Sequence, residues 1–156
     1  MTPAARVEAV TSVTPELVAA FARLLPQQSP DARHPGHAEL AAVVQAESNT
    51  LLIARDGAGN IVGTLTLVVY PTPGKTLGYI EDVVVDAPSR GQGIGALLVT
   101  EALRLAAERG AVQIDLLSGD HRQAAIRLYQ RLGFRRFETN VFRYRRTDPQ
   151  LSSPAR

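Results

Sequence analysis

The chain has 156 residues, of which 45% are hydrophobic and 21% charged, and its formal net charge at pH 7 is +2. This length and composition are typical of one globular domain and exclude a disordered or fibrous protein. The absence of cysteine excludes disulfides, zinc–thiolate sites, iron–sulfur clusters and a thiol nucleophile. The basic residues are arginines apart from Lys75 and form no concentrated stripe, so we expect no nucleic-acid partner.

Targeting signals are missing from the sequence. The first ten residues contain no apolar run that resembles a signal peptide, and no stretch approaches transmembrane length. We therefore expect a cytoplasmic protein with no membrane partner. Residues 1–146 are predicted to form a single domain, followed by a flexible C-terminal tail at 147–156.

The first half of the chain predicts a strand, two helices and a hairpin. Thr14 can cap the first helix with Pro15 at its first position, and the turn at 56–60 between apolar runs is typical of a hairpin. The predicted elements are a strand at 5–10, helices at 14–25 and 37–46, and paired strands within 50–70.

The second half predicts alternating strands and helices. Gly110 and Gly133 each end a helix, and Asp120 with Gln123 form a capping box at the start of the last one. The predicted elements are strands at 78–86 and 111–117, helices at 94–109 and 120–132, and two short strands or one bent strand within 134–146.

The order of these elements predicts their topology. A right-handed crossover makes the strands at 79–85 and 111–117 parallel neighbours, with a glycine-rich loop at the carboxyl end of the first. Ligands bind at that edge of α/β sheets. We predict an α/β fold with a mixed, mostly antiparallel central sheet, helices on both faces, and a parallel strand pair flanking the ligand site.

The glycine-rich loop lies in the stretch VVVDAPSRGQGIGALLV, residues 83–99. Helix N-termini bind phosphate oxygens, and glycines let those oxygens approach the backbone. A P-loop is excluded because the Gly-Lys-Ser/Thr ending is missing. Gly91-x-Gly93-x-x-Ala96 partly matches a dinucleotide motif, with Asp115 near the spacing of a ribose-binding acid. An NAD-dependent oxidoreductase is therefore one alternative, although DAPSR separates the loop from the strand.

Two motifs resemble one family. Arg90-Gly91-Gln92-Gly93-Ile94-Gly95 is similar to the pattern [QR]xxGx[GA] of the GNAT superfamily of acyl-CoA-dependent N-acyltransferases. The later stretch AAIRLYQRLGF is similar to the family's AxxLYxxxGF segment, with Ala125, Tyr129 and Gly133 at matching positions. The resemblance covers roughly residues 5–145 and implies a GNAT-like sheet around a coenzyme A site.

The resemblance implies how acetyl-CoA would bind as the acetyl-donor cosubstrate, without a metal. The backbone of Val83, Val84 and Val85 would pair with the pantetheine arm like an added strand. The amides of the loop would hold the pyrophosphate, and they belong to Arg90, Gly91, Gln92, Gly93, Ile94, Gly95 and Ala96. Many members carry an asparagine where this chain has Arg122, so either Ser118 or a backbone group makes that contact, or the contact is absent.

Acetyl transfer to an amine needs a base, a polarised carbonyl and an acid for the leaving sulfur. The resemblance implies that Tyr129 is the acid, and the alternative is a packed core tyrosine. Glu81 and Asp82 are base candidates because a carboxylate in an apolar strand needs a partner or a function. On a regular strand they point to opposite faces, and we favour Glu81, which would share a face with Val83 and Val85. A water relay or a salt bridge to an arginine is the alternative.

The acceptor is not specified by any motif. Loops at 26–38 and 70–78 would surround it, and a small-molecule amine and a protein or peptide amine are both retained as partners. His34 and His37 have no nearby carboxylate in sequence, so we expect no metal. A homodimer is compatible with the sequence, and a non-catalytic acyl-CoA-binding regulatory module is the second alternative.

Overall fold

The structure, a computed structural model, describes residues 4–146. The predicted tail at 147–156 lies outside the described residues. Within them the chain forms five strands, four α-helices and a 3-10 turn at Ala87–Ser89. In chain order they are β1 Arg6–Ala9, α1 Pro15–Gln28, α2 His37–Gln45, β2 Asn49–Arg55, β3 Ile61–Pro71, β4 Thr76–Val85, α3 Ile94–Glu108, β5 Ala111–Leu116 and α4 Gln123–Arg131.

The five strands form one sheet in the order β1-β2-β3-β4-β5. The first three pairings are antiparallel, and β4 and β5 are parallel. Helix α3 packs on one face and α1 and α2 on the other. This arrangement confirms the predicted fold class, including the parallel strand pair.

Both faces of the sheet are buried along β2 and β3, because most residues of these two strands are apolar. On β2, Leu52 and Ala54 pack toward α3, whereas Leu51 and Ile53 pack toward α1 and α2. Alternating residues of β2 therefore belong to two separate hydrophobic cores, one on each face of the sheet.

The predicted cap of α1 is confirmed. Thr14 has an extended backbone, and its hydroxyl oxygen accepts a hydrogen bond of 3.2 Å from the amide of Leu17, with Pro15 at the first helical position. The helix continues beyond the predicted end, through Pro26 to Gln28. This extra turn brings Gln27 and Gln28 close to the glycine-rich loop and to α4.

The predicted capping box of α4 is wrong. The helix begins at Gln123, and Arg122 occupies the cap position without a side-chain cap. Asp120 instead lies 3.5 Å from Arg136 in an exposed ion pair, and the Gln123 amide donates to the backbone carbonyl of Asp120. The predicted cap at Asp120 therefore lies two residues before the cap position that the helix uses.

The predicted strands within 134–146 are also absent from the described residues. The segment has the expected alternation, but Phe137, Phe142 and Tyr144 are each at least 85% exposed. Alternation stabilises a strand only where a neighbouring strand supplies hydrogen bonds and a core supplies a face to bury. Neither condition is met along this arginine-rich segment.

Candidate functional site

The parallel strands β4 and β5 separate before β4 ends. Their ladder runs from Thr76 paired with Ala111 to Ile80 paired with Leu116. On its other side β4 stays paired with β3 as far as Val85. Within residues 4–146, the backbone from 81 to 85 therefore has a strand on one side only, and its other side is open to a ligand.

A β-bulge lies at the start of this open stretch. Glu81 pairs with Thr66 and Val84 pairs with Thr64, so Asp82 and Val83 together face a single residue of β3. Asp82 has φ of +51°, in the left-handed region that aspartate tolerates better than most residues. The bulge bends the strand where the two parallel strands part.

The bulge changes which residues share a face. Ile80, Val83 and Val85 all pack toward α3, whereas Val84 packs toward α1 and α2. Because Glu81 follows Ile80 in regular alternation, it lies on the face opposite Val83 and Val85. The expectation that Glu81 shares their face is therefore wrong, since period-2 alternation does not hold across a bulge.

Both carboxylates of this stretch are exposed at the surface. The carboxyl of Glu81 is nevertheless partly screened from water, and this desolvation, followed by the charge of Asp82, raises its pKa above the usual range. A carboxylate with a raised pKa is a better proton acceptor near neutral pH than an ordinary one. The raised pKa therefore favours Glu81 as the candidate base, although Glu81 does not share a face with Val83 and Val85 as predicted.

The glycine-rich loop joins β4 to α3 through two left-handed glycines. Gly91 has φ of +75° and Gly93 has φ of +81°, and no atom lies within 4 Å of where a Cβ would stand at either. Their backbone is therefore bare and accessible, as contact with a ligand requires. Ile94, by contrast, is buried and anchors the first turn of α3 in the core, with half-buried Ala96 beside it.

Gly95 lies at a close contact between three elements. A Cβ there would stand 3.0 Å from Leu128 of α4 and 3.8 Å from Val85 of β4. The start of α3 therefore packs closely against α4 and the end of β4. This contact brings the two sequence motifs together in space.

Helix α1 holds the beginning of the loop in place. Asp86 accepts hydrogen bonds from Arg23 at 3.0 Å and from Gln27 at 2.8 Å. The side-chain oxygen Oε1 of Gln27 accepts a 2.9 Å bond from the backbone amide of Ala87. Sequence reasoning missed Arg23, Gln27 and Asp86, because the helix residues lie about 60 positions from the loop and match no local motif.

Arg90 contributes to the same network. Its Nε donates to the Val85 carbonyl at 3.0 Å, and its guanidinium lies 3.4 Å from the Gln27 side-chain oxygen. The Gln92 amide reaches back to the Pro88 carbonyl at 3.4 Å. In this structure the Arg90 charge is thus directed toward α1 and the end of β4, at the entrance of the loop.

The hydrogen bonds to Asp86 shift its pKa and so link this network to the stability of the fold. The hydrogen bond from Gln27, followed by the contact with Arg23, lowers its pKa below the ordinary value of 3.8. The lowered pKa stabilises the fold in full above about pH 4, and this contribution is lost as the pH falls through the folded-state pKa.

We expect Asp86→Asn to lower the free energy of unfolding at pH 7 by about 1–2 kcal/mol, because it removes a charge-assisted bond that is partly exposed. Urea unfolding at pH 7 measures this loss, and the same comparison near pH 3 should show a smaller one. Arg104→Gln is the control: its ion pairs with Glu101 and Glu108 on α3 are exposed to solvent, so it should lower stability much less than Asp86→Asn does. Equal losses in the two variants would contradict the special role of Asp86.

Tyr129 lies on α4, half-buried against the α3 core. Its ring meets Phe134 edge to face, with centroids 5.8 Å apart. Burial raises the pKa of its phenol, and the positive charge of Arg122 partly opposes that effect. The hydroxyl is therefore held by a packed ring and stays protonated at neutral pH, as a proton donor must.

Ser118 lies in the segment between β5 and α4. Its hydroxyl oxygen is buried and has no hydrogen-bond partner within residues 4–146. Buried hydroxyls without a partner cost free energy, so such a group is a candidate for contact with a ligand. Arg122, four residues later, makes a 2.8 Å bond to the carbonyl of Gln28 at the end of α1.

The described part of the chain contains neither a cluster of metal-ligating side chains nor a helix that could span a membrane. No three His, Asp or Glu side chains of residues 4–146 gather closely enough to hold a metal ion. None of the helices described between these residues combines the length and apolar character that crossing a bilayer requires.

Comparison with known families gives one match. The family model described as Acetyltransferase (GNAT) family matches residues 14–134. The matched range contains both sequence motifs, the open stretch of β4 and the helix that holds the glycine-rich loop. It therefore covers every residue of the candidate site.

Two curated relatives are similar over part of their length. A glucosamine 6-phosphate N-acetyltransferase of Trypanosoma brucei brucei is 33% identical over 95 residues, which are 59% of this chain and 63% of that protein. A mycothiol acetyltransferase of Amycolatopsis mediterranei is 39% identical over 88 residues, 53% of this chain and 29% of that protein. The matched segments thus span under two thirds of either relative.

A solved structure has the same fold. It is AAC(6')-Iy in complex with a bisubstrate analog, CoA-S-monomethyl-acetylneamine, and it superposes with a TM-score of 0.73. The match covers 93% of this chain and 100% of that one at 19% identity. At this identity the likeness shows a shared fold.

Proposed function

Because the chain belongs to the GNAT family of acetyltransferases, we propose that it transfers an acetyl group from acetyl-CoA to a primary amine. The observation that carries the proposal is the early end of the β4–β5 ladder at Ile80, which leaves residues 81–85 of β4 without a second strand ahead of the glycine-rich loop. An extended ligand can pair with the open backbone of β4 while its phosphates lie against the loop. Acetyl-CoA has these two parts in this order.

The loop residues fit the phosphate end. The left-handed backbone at Gly91 and Gly93 is accessible, and the amides at the start of α3 carry the partial positive charge of a helix N-terminus. Val83 and Val85 offer backbone groups on the open side of β4, where the Val85 carbonyl already accepts a bond from Arg90. The unpartnered hydroxyl of Ser118 supports its proposed contact with the cosubstrate.

In the proposed reaction Glu81 takes a proton from the acceptor ammonium, directly or through a water. The neutral amine nitrogen bonds to the acetyl carbonyl carbon, and the carbon–sulfur bond breaks. A backbone amide of the open β4 stretch polarises the carbonyl. As the carbon–sulfur bond breaks, the nitrogen loses its second proton to solvent and Tyr129 donates its own proton to the departing sulfur. Tyr129 then recovers a proton from solvent and Glu81 releases the one it took, so the net reaction liberates one proton. No covalent enzyme intermediate is needed, which suits a chain without cysteine.

The acceptor class remains open between a small-molecule amine and a protein or peptide amine. The names of the two curated relatives support a small molecule. Under this proposal the acceptor reaches Glu81 from the face that packs α1 and α2, because Glu81 alternates regularly with Ile80, which packs toward α3. We expect residues 29–36, which follow α1, to border the acceptor.

Thermal protection tests the ligand assignment. At about 100 times its dissociation constant, CoA should stabilise the protein by roughly 2.7 kcal/mol and raise Tm by roughly 5–10 °C. NAD should give no shift, since it has no arm that could pair with 81–85. Gly93→Val should abolish the CoA shift, because a β-branched residue strains the left-handed backbone and covers it. A shift with NAD and none with CoA would contradict the proposal.

Release of free thiol from acetyl-CoA with a panel of amines separates an enzyme from a binding module. Thermal protection by CoA with no thiol release for any amine would favour a non-catalytic acyl-CoA-binding protein. Thiol release that depends on one amine class would identify the acceptor.

A further inference from the structure

Arg122 stands at a position where local rules disfavour it. It is the cap residue of α4, which begins at Gln123. Caps are normally Ser, Thr, Asp or Asn, and a cation near the positive end of a helix is destabilising by about 0.3–1 kcal/mol. The placement therefore requires a reason from elsewhere in the fold.

The reason lies at the end of α1. Arg122 Nη2 donates a 2.8 Å bond to the carbonyl of Gln28, 94 residues away, and the bond is partly buried. Gln28 is the last residue of α1, so its carbonyl has no partner inside the helix and lies at the negative end of the helix dipole. The cation that is unfavourable for α4 is thus favourable for α1.

The same turn of α1 holds the glycine-rich loop. Gln27 bonds to Asp86 and to the amide of Ala87, whereas Gln28 is bonded by Arg122. One helical turn therefore fixes the loop on one side and α4, with Tyr129, on the other. Beyond this turn the chain enters residues 29–36, beside the proposed acceptor entrance.

We propose that Arg122 is a positioning residue for acetyl transfer, which seats the helix of Tyr129 against the last turn of α1 and keeps a cation near the phenolate that forms when Tyr129 gives up its proton. The inference rests on the proposed function. Among the charged groups of residues 4–146, Arg122 is the one whose charge acts on the pKa of Tyr129. Since burial raises that pKa, the cation limits the rise.

The first test needs no enzymatic activity. Tyrosine ionisation is followed by ultraviolet absorbance in the wild type and in Tyr129→Phe, and the difference isolates Tyr129. Arg122→Gln should move this difference curve to higher pH, and Arg122→Lys should leave it near the wild type, because lysine keeps the charge. Arg127→Gln removes an exposed charge from the same helix and should not move the curve. Identical curves for Arg122→Gln and wild type would overturn the proposal.

The second test is kinetic. Arg122→Gln should lower kcat roughly three- to tenfold with little change in KM for acetyl-CoA, and Arg122→Lys should restore most of the loss. In the Tyr129→Phe background Arg122→Gln should have no further effect, because the two residues act through one proton. Additive losses would overturn the proposal, as would a rise in KM alone. If no amine is acetylated, the proposed function fails, and the absorbance titration alone decides whether Arg122 acts on Tyr129.

Discussion

Replacing Tyr129 with phenylalanine should lower kcat by roughly 10²–10⁴-fold, the usual contribution of a general acid. The hydroxyl acts on a sulfur that becomes anionic only as the carbon–sulfur bond breaks, so its effect falls on the transition state and not on binding. KM for acetyl-CoA should therefore change little. Phenylalanine keeps the edge-to-face contact with Phe134, so the fold should be retained.

Steady-state kinetics with acetyl-CoA and an accepted amine measure this effect. Tyr144→Phe is the matched control, since Tyr144 is 91% exposed and lies outside any helix or strand. It should have wild-type kcat. If Tyr129→Phe also had wild-type kcat, with the chemical step shown to be rate-limiting, Tyr129 would serve packing alone.

Replacing Glu81 with glutamine should lower kcat at neutral pH by roughly 10²-fold, because the variant keeps the shape and loses the base. A lysine-like amine has a pKa of about 10.4, so at pH 7 nearly all of it is protonated. The deficit should shrink as the pH approaches that value, where the amine arrives already neutral. A pH profile of kcat/KM measures both effects.

Asp82→Asn is the matched control for Glu81→Gln. Asparagine tolerates the left-handed backbone at position 82 as aspartate does, so the bulge should persist. Because the charge of Asp82 contributes to the raised pKa of Glu81, its removal should move the acidic limb of the profile to lower pH while kcat at neutral pH is kept. Lost activity in Asp82→Asn with full activity in Glu81→Gln would reverse the assignment.

Most of the fold could be predicted from local sequence signals. Features that depend only on nearby residues were predicted correctly. They are the hairpin at 50–70, the cap at Thr14 and the glycines that end α3 and α4. The glycine-rich loop was likewise predictable, because a local run of glycines marks it in the sequence. The parallel pairing of β4 and β5 followed from the handedness of crossovers, which is a general rule.

The remaining features depend on contacts between distant residues. No local pattern marks the bulge at Asp82, so alternation placed Glu81 on the wrong face. Gln27 and Arg122 act across 60 and 94 residues respectively, and neither belongs to a motif that spacing reveals. The glycine-rich loop of the candidate site could therefore be predicted from neighbouring residues, whereas the hydrogen bonds from α1 that support it could not.

The early end of the β4–β5 ladder also affects how the protein behaves at high concentration. Unpaired strand backbone can recruit a strand from another chain and so begin aggregation, and charged side chains on such a stretch oppose this. Glu81 and Asp82 supply two negative charges at the start of the open segment, where a second copy would bring two more. We therefore expect the proposed base Glu81 and its neighbour Asp82 also to oppose self-association, so that neutralising both at once promotes it more than either single substitution does.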